Sequence, residues 1–380
     1  MITQTPQCMS PFTSIVVDKN GELLPCCEFM ADKSDVPRGH IRDLAQWWDQ
    51  DLQPLRDKMI QQESDSGCSH CIKKELLGQN SLRKNHNQQF STVQIDESIL
   101  PVRQVEIRLG NYCNLRCIMC GEYASSSIAT EYSSNQDAYN KIGVFMSTAA
   151  NVAWWKDPQC MENLKIILQH VQYCTFAGGE PFIVPEMANI LKMLDPLKIK
   201  NINVISSLNN VSAAAINSLR DFQTVNISAS LEGIGEHNNY VRFGSDWNAV
   251  LRNIELLQQN TNINLNVGHV LQHTSIWALP MLLSWAKTLN ITVTLGEVYY
   301  QSYPAPGVLT INSVHPTDLA KFKEWLVQYC GPSKTILESW VDQYHYDPQL
   351  NQQFHQYISM LDGIRGTNFN SVFNPTYENF

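Results

Sequence analysis

No stretch of the sequence comes near the roughly twenty uninterrupted apolar residues that cross a bilayer, so a membrane span is not expected. Basic runs are missing as well: 27 Lys and Arg stand against 36 Asp and Glu, a formal charge of −9. Without a basic patch, nucleic acid is not an expected partner. The opening Met1-Ile-Thr-Gln-Thr-Pro6 has no charged start leading into an apolar signal core, and neither short repeats nor low-complexity segments occur. A soluble, cytoplasmic protein is expected. At 380 residues the chain exceeds the usual size of one domain, which predicts two units or a barrel with appendages. Cysteine, in contrast, is plentiful. The 11 cysteines fall in tight CxxC-type clusters without an export signal, a pattern that predicts metal ligation in a reducing compartment rather than disulfides.

The sharpest cluster is Asn111-Tyr-Cys-Asn-Leu-Arg-Cys-Ile-Met-Cys120, a CxxxCxxC triplet directly after the alternating apolar stretch Val102–Leu109. Three thiolates on one short loop, Cys113, Cys117 and Cys120, can ligate three irons of a cubane iron–sulfur cluster. The fourth iron then keeps an open position for something that is not protein. A zinc knuckle is the alternative, but zinc sites usually pair their ligands as CxxC units and complete a closed tetrahedron.

Periodicity frames this loop. Apolar, β-branched runs at 104–109, 171–176, 202–207, 224–230, 262–270 and 291–298 alternate with helical patterns, among them Met161–Leu168, Pro185–Leu194, Ala213–Leu219, Trp247–Leu257 and Ile276–Leu289. Six strands with helical crossovers predict parallel α/β structure. The longest interval, Glu122 to Asp157, is Ser- and Asn-rich and holds Trp154-Trp155; it reads either as a cover for the cysteine loop or as surface decoration. Beyond it, Ser302–Gly307 reads as a loop, and helical patterns at Phe322–Tyr329, Ile336–Tyr344 and Phe354–Leu361 predict a helical cap. Asp362 and Arg365 are spaced to pair with each other. Cys160, Cys174 and Cys330 are expected to be buried structural residues.

The N-terminal segment carries a second sulfur group. Cys8 precedes Phe12–Asp18, the turn Asp18-Lys-Asn-Gly21 and Leu23-Leu-Pro-Cys-Cys27, which together predict a hairpin. A helix with apolar spacing through Leu44, Trp47, Trp48 and Leu52 then leads to Cys68-Ser-His-Cys71. Four sulfurs can converge here. Cys26 and Cys27 compete for one place, because neighbouring side chains on an extended segment point to opposite faces. A zinc ribbon is the alternative for this group, and His70 is expected to face solvent.

CxxxCxxC after a first strand resembles the signature of radical S-adenosylmethionine (radical SAM) enzymes. Thr175-Phe-Ala-Gly-Gly-Glu-Pro-Phe182 resembles that family's GGE segment, and Ser228-Ala-Ser-Leu-Glu-Gly233 followed by Arg242 resembles its fourth-strand region. The resemblance covers residues 102 to about 300 and implies a partial (β/α)6 TIM-like barrel that holds a 4Fe-4S cluster and S-adenosylmethionine at its strand ends. It also implies reductive cleavage of S-adenosylmethionine to a 5′-deoxyadenosyl radical, which abstracts a substrate hydrogen. Gly178 and Gly179 let backbone approach a ligand closely, and the resemblance assigns them to the methionine amino group, with Glu180 pairing its ammonium. Ser228 and Ser230 would bond the ribose and Arg242 the cofactor carboxylate. Tyr112 and Met119 would pack around cluster and adenine, with simple core filling as the alternative. Ser207 and Asn209 are candidates for cofactor or substrate contacts, with a helix N-cap as the alternative. Many relatives carry Asp where Glu232 stands, so the resemblance implies no specific role for Glu232.

The N-terminal segment resembles the auxiliary-cluster module called twitch, a shortened SPASM domain, although that module commonly follows the barrel and here precedes it. By this resemblance Cys8, Cys26, Cys68 and Cys71, with Cys27 in place of Cys26 as the alternative, hold a second cluster, expected to be 4Fe-4S. The expected domains are an auxiliary module at 1–95, the barrel at 96–300 and a helical extension at 301–380. The expected function is oxidative modification of a peptide or small metabolite, with an external one-electron donor such as flavodoxin or ferredoxin. The competing classes are a non-catalytic iron–sulfur electron carrier and a zinc-stabilised binding protein; for a carrier, the Gly-Gly-Glu segment, the serine face and Arg242 would be superfluous.

Overall fold

Val105 and Ile107 are fully buried and alternate with half-buried Glu106 and Arg108, so this stretch is a strand with one apolar face. The same logic builds the rest of the sheet. The computed structural model describes residues 6–76, 78–93, 100–147, 152–298 and 307–373; most of the predicted loop Ser302–Gly307 lies outside them. Among the described residues eleven strands are formed: β1 (Ser14–Val17), β2 (Glu22–Leu24), β3 (Gly39–His40), β4 (Gln104–Arg108), β5 (Arg116–Cys117), β6 (Tyr173–Ala177), β7 (Asn201–Ser206), β8 (Val225–Ser230), β9 (Arg242–Phe243), β10 (Ile263–Leu271) and β11 (Thr292–Glu297). All six predicted barrel strands are among them, and the predicted helices fall between them. The fold is mixed α/β with a mostly parallel sheet that does not close, compatible with a partial barrel.

By compactness the chain divides into two units. The first comprises Met1–Gly110, Ala150–Val204 and Ala213–Val225. Within it β1 pairs antiparallel with β2 and parallel with β4, β4 pairs parallel with β6, and β6 with β7. The predicted hairpin is present: Gly21 takes the left-handed conformation (φ +82°), and its N–H donates to the Asp18 carbonyl at 2.8 Å. Ile15, Val17, Leu23, Leu52, Leu55 and Trp47 form its buried interior. Trp154 is buried in this unit, its indole N–H donating to the Arg108 carbonyl at 3.3 Å.

The second unit comprises Asn111–Ala149, Ile205–Ser212 and Asn226–Phe380. Here β10 pairs parallel with β11, and β5 pairs antiparallel with β9, placing Cys117 opposite Arg242. Its C-terminal part is helical, as expected: Pro316–Gln328, Lys334–Asp342 and Pro348–Arg365. The last helix has strong local punctuation. The Asp347 side chain caps its start, Pro348 occupies the first turn, and Gly366 ends it in the left-handed conformation. Among the described residues no helix is long and apolar enough to cross a membrane.

Two expectations are corrected. Asp362 and Arg365 do not pair with each other, because each finds a better partner elsewhere in the unit. Asp362 accepts from the Tyr240 hydroxyl at 2.9 Å, the Thr367 hydroxyl at 2.6 Å and the Phe369 N–H at 2.9 Å. Arg365 forks onto Glu131 at 3.0 and 2.8 Å. Cys160 and Cys174 are buried as expected, but Cys330 is exposed, since it lies just past the Pro316–Gln328 helix and its thiol meets only the Gln328 carbonyl at 3.5 Å.

Glu131 is the buried hinge of the second unit. Besides Arg365 it accepts from Arg116 at 3.2 Å and from the Tyr139 hydroxyl at 2.8 Å. Burial alone would raise its pKa, but the Arg365 fork outweighs that and holds the carboxyl below its usual range. Removing Arg365 strands a buried charge. The Arg365→Met variant is expected to lose about 3–5 kcal/mol of stability at neutral pH, measured by urea unfolding. Because the folded-state pKa of Glu131 is depressed, the ion pair's contribution is present above the unfolded carboxyl pKa and fades as pH falls through the folded value, so the deficit of the variant should shrink in acid.

Candidate metal centres

In the second unit the loop 111–120 is tied down by bonds to its backbone. Ser125 caps the Ser126–Ser134 helix, and its hydroxyl donates to the Leu115 carbonyl at 2.6 Å. Ser126 and Ser127 donate to the Cys113 carbonyl at 3.2 and 2.8 Å, and the Cys113 N–H donates back to the Ser126 hydroxyl at 3.3 Å. From the other side, the Tyr357 hydroxyl of the last long helix donates to the Ile118 carbonyl at 2.9 Å. The start of the Ser-rich insertion, Ser125 to Ser127, thus staples the loop. Three hydroxyls in a row after a cysteine loop were the available signal, and composition alone hid it.

The sulfurs themselves stay free of disulfides, Cys117 buried and Cys113 and Cys120 half-buried. A hydrogen bond from Cys120, with help from the Arg242 charge, brings the Cys117 thiol down to about 7 against the pull of burial; Cys120, the donor, is pushed up. Arg242 Nη1 donates to Cys117 Sγ at 3.7 Å and Nη2 to Glu232 Oε1 at 2.7 Å, while its Nε is buried with no partner. Three soft sulfur donors beside a guanidinium suit an iron–sulfur cluster.

The remaining candidates of this unit lie nearby in the sheet or its loops. Ser228 and Ser230 share the half-buried face of β8, as expected, and a side chain at Gly268 would meet the Ser228 hydroxyl at 2.9 Å. Tyr112 is exposed and Met119 buried. Ser207 accepts from the Asn209 N–H at 3.4 Å, and Asn209 accepts from the Asp246 N–H at 2.7 Å, tying its loop to the next helix start. His269 is a satisfied core histidine, with Nε2 2.8 Å from the Ser275 hydroxyl and Nδ1 3.1 Å from the Leu231 carbonyl. Glu232, discounted on resemblance, is fully buried and central.

The first unit holds the other candidates. Gly178 has φ +108°, and a Cβ there would press on the Gly110 carbonyl at 3.2 Å, so only glycine fits this turn. Glu180 is buried, and its carboxylate accepts from the Phe182 N–H at 3.4 Å. The Cys8, Cys26, Cys68 and Cys71 sulfurs form one group. Burial raises the Cys26 thiol, and the neighbouring Cys27, Cys8 and Cys68 raise it further. Burial, then Cys8, Asp65 and Cys71, push Cys68 up to about 12. Cys8 is raised by burial and by Cys71. Cys27 is exposed, and the carboxylates that raise its thiol beyond desolvation are Glu106 and Glu28. Cys26 is thus coupled to Cys8 and Cys68, whereas Cys27 is coupled to Glu106 and Glu28. His70, expected to face solvent, pairs with Glu28 instead. Among the described residues no three His, Cys, Asp or Glu side chains close on a point for a lone ion; a cubane, which gives each thiolate its own iron, does not ask for that. A groove of about 840 Å³ lined by Lys141, Asn351, His355 and Met360 contains none of the candidates.

Residues 107–277 match the family model described as the Radical SAM superfamily. The chain carries a radical SAM domain. Residues 8–72 match the SPASM iron–sulfur cluster-binding domain, which here lies N-terminal to the radical SAM domain. The radical SAM domain implies a 4Fe-4S cluster and S-adenosylmethionine, and the SPASM domain implies auxiliary iron–sulfur clusters. No curated protein sequence matches the chain. Solved structures that resemble it include SuiB of Streptococcus suis bound to S-adenosylmethionine, at 14% identity and TM-score 0.38, covering 83% of this chain and 67% of SuiB. Another is anSMEcpe with bound AdoMet and the Cp18Cys peptide, at 14% identity and TM-score 0.38, covering 58% of this chain and 57% of anSMEcpe. A third is the radical S-adenosylmethionine methyltransferase TsrM from Kitasatospora setae, at 11% identity and TM-score 0.34, covering 51% of this chain and 34% of TsrM. Likeness at these scores carries neither substrate nor reaction over to this radical SAM chain.

The sulfur grouping makes one sharp prediction. After anaerobic reconstitution, Cys26→Ala should hold roughly four fewer irons per chain than the parent protein, and Cys27→Ala the same number as the parent; iron and sulfide assays check it.

Proposed function

We propose that this radical SAM enzyme uses Cys113, Cys117 and Cys120 to hold the cluster that binds S-adenosylmethionine, and Cys8, Cys26, Cys68 and Cys71 to hold an auxiliary 4Fe-4S cluster. The catalytic domain on this reading is 96–300, the auxiliary module 1–95 and the helical extension 301–380. The observation that carries it is the 111–120 loop, which brings three cysteines together, one of them, Cys117, bonded by a buried guanidinium, while serines and Tyr357 bond its carbonyls.

When bound, the cluster and S-adenosylmethionine supply a 5′-deoxyadenosyl radical. The chain's residues supply binding and shelter. Gly178 and Gly179 admit a ligand to the backbone, and Glu180 is the carboxylate for its ammonium group. Ser228 and Ser230, on one face of β8, offer hydroxyls to a ribose. Arg242 retains one buried N–H, on Nε, for a carboxylate. Tyr112 and Met119 pack against the cofactor, and Ser207 and Asn209 remain candidates for substrate contacts.

The auxiliary cluster points to a net oxidation, in which an electron leaves the substrate radical, and the substrate class is a peptide or small metabolite. An external one-electron donor such as flavodoxin or ferredoxin, in the cytoplasm, completes the requirement. The reconstituted protein given dithionite and S-adenosylmethionine should release 5′-deoxyadenosine. Joint replacement of Cys113, Cys117 and Cys120 by Ala should abolish that release and lower the iron content by roughly four; continued release would show that these sulfurs are not the ligands.

A further inference from the structure

Arg242 sits where a charge matters most to an iron–sulfur cluster. Its backbone is opposite Cys117 in the β5–β9 pair, so the ladder fixes its distance from the sulfur. From there Nη1 reaches Cys117 Sγ at 3.7 Å and Nη2 reaches Glu232 Oε1 at 2.7 Å. The other Glu232 oxygen accepts from the Val270 N–H at 3.1 Å and the Gln272 amide at 3.4 Å, and lies 3.3 Å from His269 Nδ1. Both partners are desolvated: the Glu232 side chain is 0% exposed and that of Arg242 13%. A guanidinium so placed is a fixed, permanent charge whose orientation the carboxylate holds. Arg365 is engaged by Glu131, and Arg242 is a cation bonded to Cys117 Sγ.

We propose that the buried Glu232–Arg242 pair sets the reduction potential of the cluster on Cys113, Cys117 and Cys120, with Arg242 raising it through its bond to Cys117 Sγ and Glu232 restraining that rise. The inference rests on the ligand assignment above. One-electron reduction adds a negative charge to the cluster, so a cation bonded to a ligand sulfur stabilises the reduced form more than the oxidised one. A carboxylate behind that cation does the opposite. The pair therefore acts as a matched dial rather than as one charge. Glu232 is in this account a positioning residue: it acts through Arg242 and aims the fork at Cys117. The Glu232 side chain has the reach to bond Arg242, the Val270 backbone and Gln272 together.

The two charges predict shifts of opposite sign, which a merely structural role does not. The test is an EPR-monitored redox titration of the reconstituted full chain without S-adenosylmethionine, with dithionite as reductant. The signal that disappears when Cys113, Cys117 and Cys120 are all Ala is assigned to this site. Arg242→Met should shift its midpoint to more negative potential at unchanged iron content, and Glu232→Gln should shift it to more positive potential. Arg242→Gln, which keeps a neutral donor near the sulfur, should fall between the parent and Arg242→Met; it serves as the second variant if Met impairs cluster loading. An unchanged midpoint in both arginine variants, or shifts of the same sign for Arg242 and Glu232, would overturn the inference. If the parent protein loads no cluster on these cysteines, it is instead the ligand assignment that fails.

Discussion

Three cysteines crowded into residues 113–120 would, as cluster ligands, concentrate negative charge on one short loop, and buried polar groups of the second unit are arranged around that loop. Arg242 neutralises from the strand opposite Cys117 and is itself balanced by Glu232. Serines 125 to 127 and Tyr357 engage the carbonyls of the loop, so its backbone is fixed by bonds that leave the sulfurs available. Arg116, inside the loop, is drawn onto Glu131, and Arg365 completes that buried ion cluster. The C-terminal helix is therefore a structural support of the cysteine loop within its own unit, which gives the extension a physical role that its composition does not announce.

The first unit treats its sulfurs differently. Burial raises the Cys8, Cys26, Cys68 and Cys71 thiols, neighbouring sulfurs adding to the rise at Cys8, Cys26 and Cys68 and Glu28 at Cys71; Cys68 is pushed up to about 12, whereas Cys117 is brought down to about 7. Metal must displace those protons for the auxiliary group to be filled, so its loading couples to pH and to the fold around it. Cys8 and Cys26 flank the β1–β2 hairpin, and Cys68 and Cys71 lie where a 3-10 turn runs into the Ser69–Leu76 helix, so these sulfurs come from segments far apart in sequence. The cysteine loop of the second unit comes from one continuous stretch and stops at three.

Local pattern made most of this legible. Alternation predicts six strands that the sheet contains, and Asn20-Gly21 predicts the hairpin. What stayed hidden depends on partners remote in the chain. Arg365 and Glu131 are 234 positions apart, so spacing points to the nearer Asp362 instead. Glu232 was set aside because it differed from the expected Asp, yet its importance comes from Arg242, Val270 and Gln272, none of which a strand pattern reveals. Burial of Cys330 was expected from its residue type; the helix end beside it leaves the thiol in solvent. Cys26 and Cys27 were separable in principle by strand alternation, but the side facing the other sulfurs is set by the tertiary fold.

The central claim is that the triplet leaves one iron without a protein ligand. The most direct measurement is electron–nuclear double resonance on the reduced, reconstituted protein with S-adenosylmethionine labelled with nitrogen-15 at its amino group. The account predicts a hyperfine coupling between the labelled nitrogen and the cluster that is lost when Cys113, Cys117 and Cys120 are replaced. A cluster that forms on these cysteines, binds S-adenosylmethionine and shows no such coupling would contradict it.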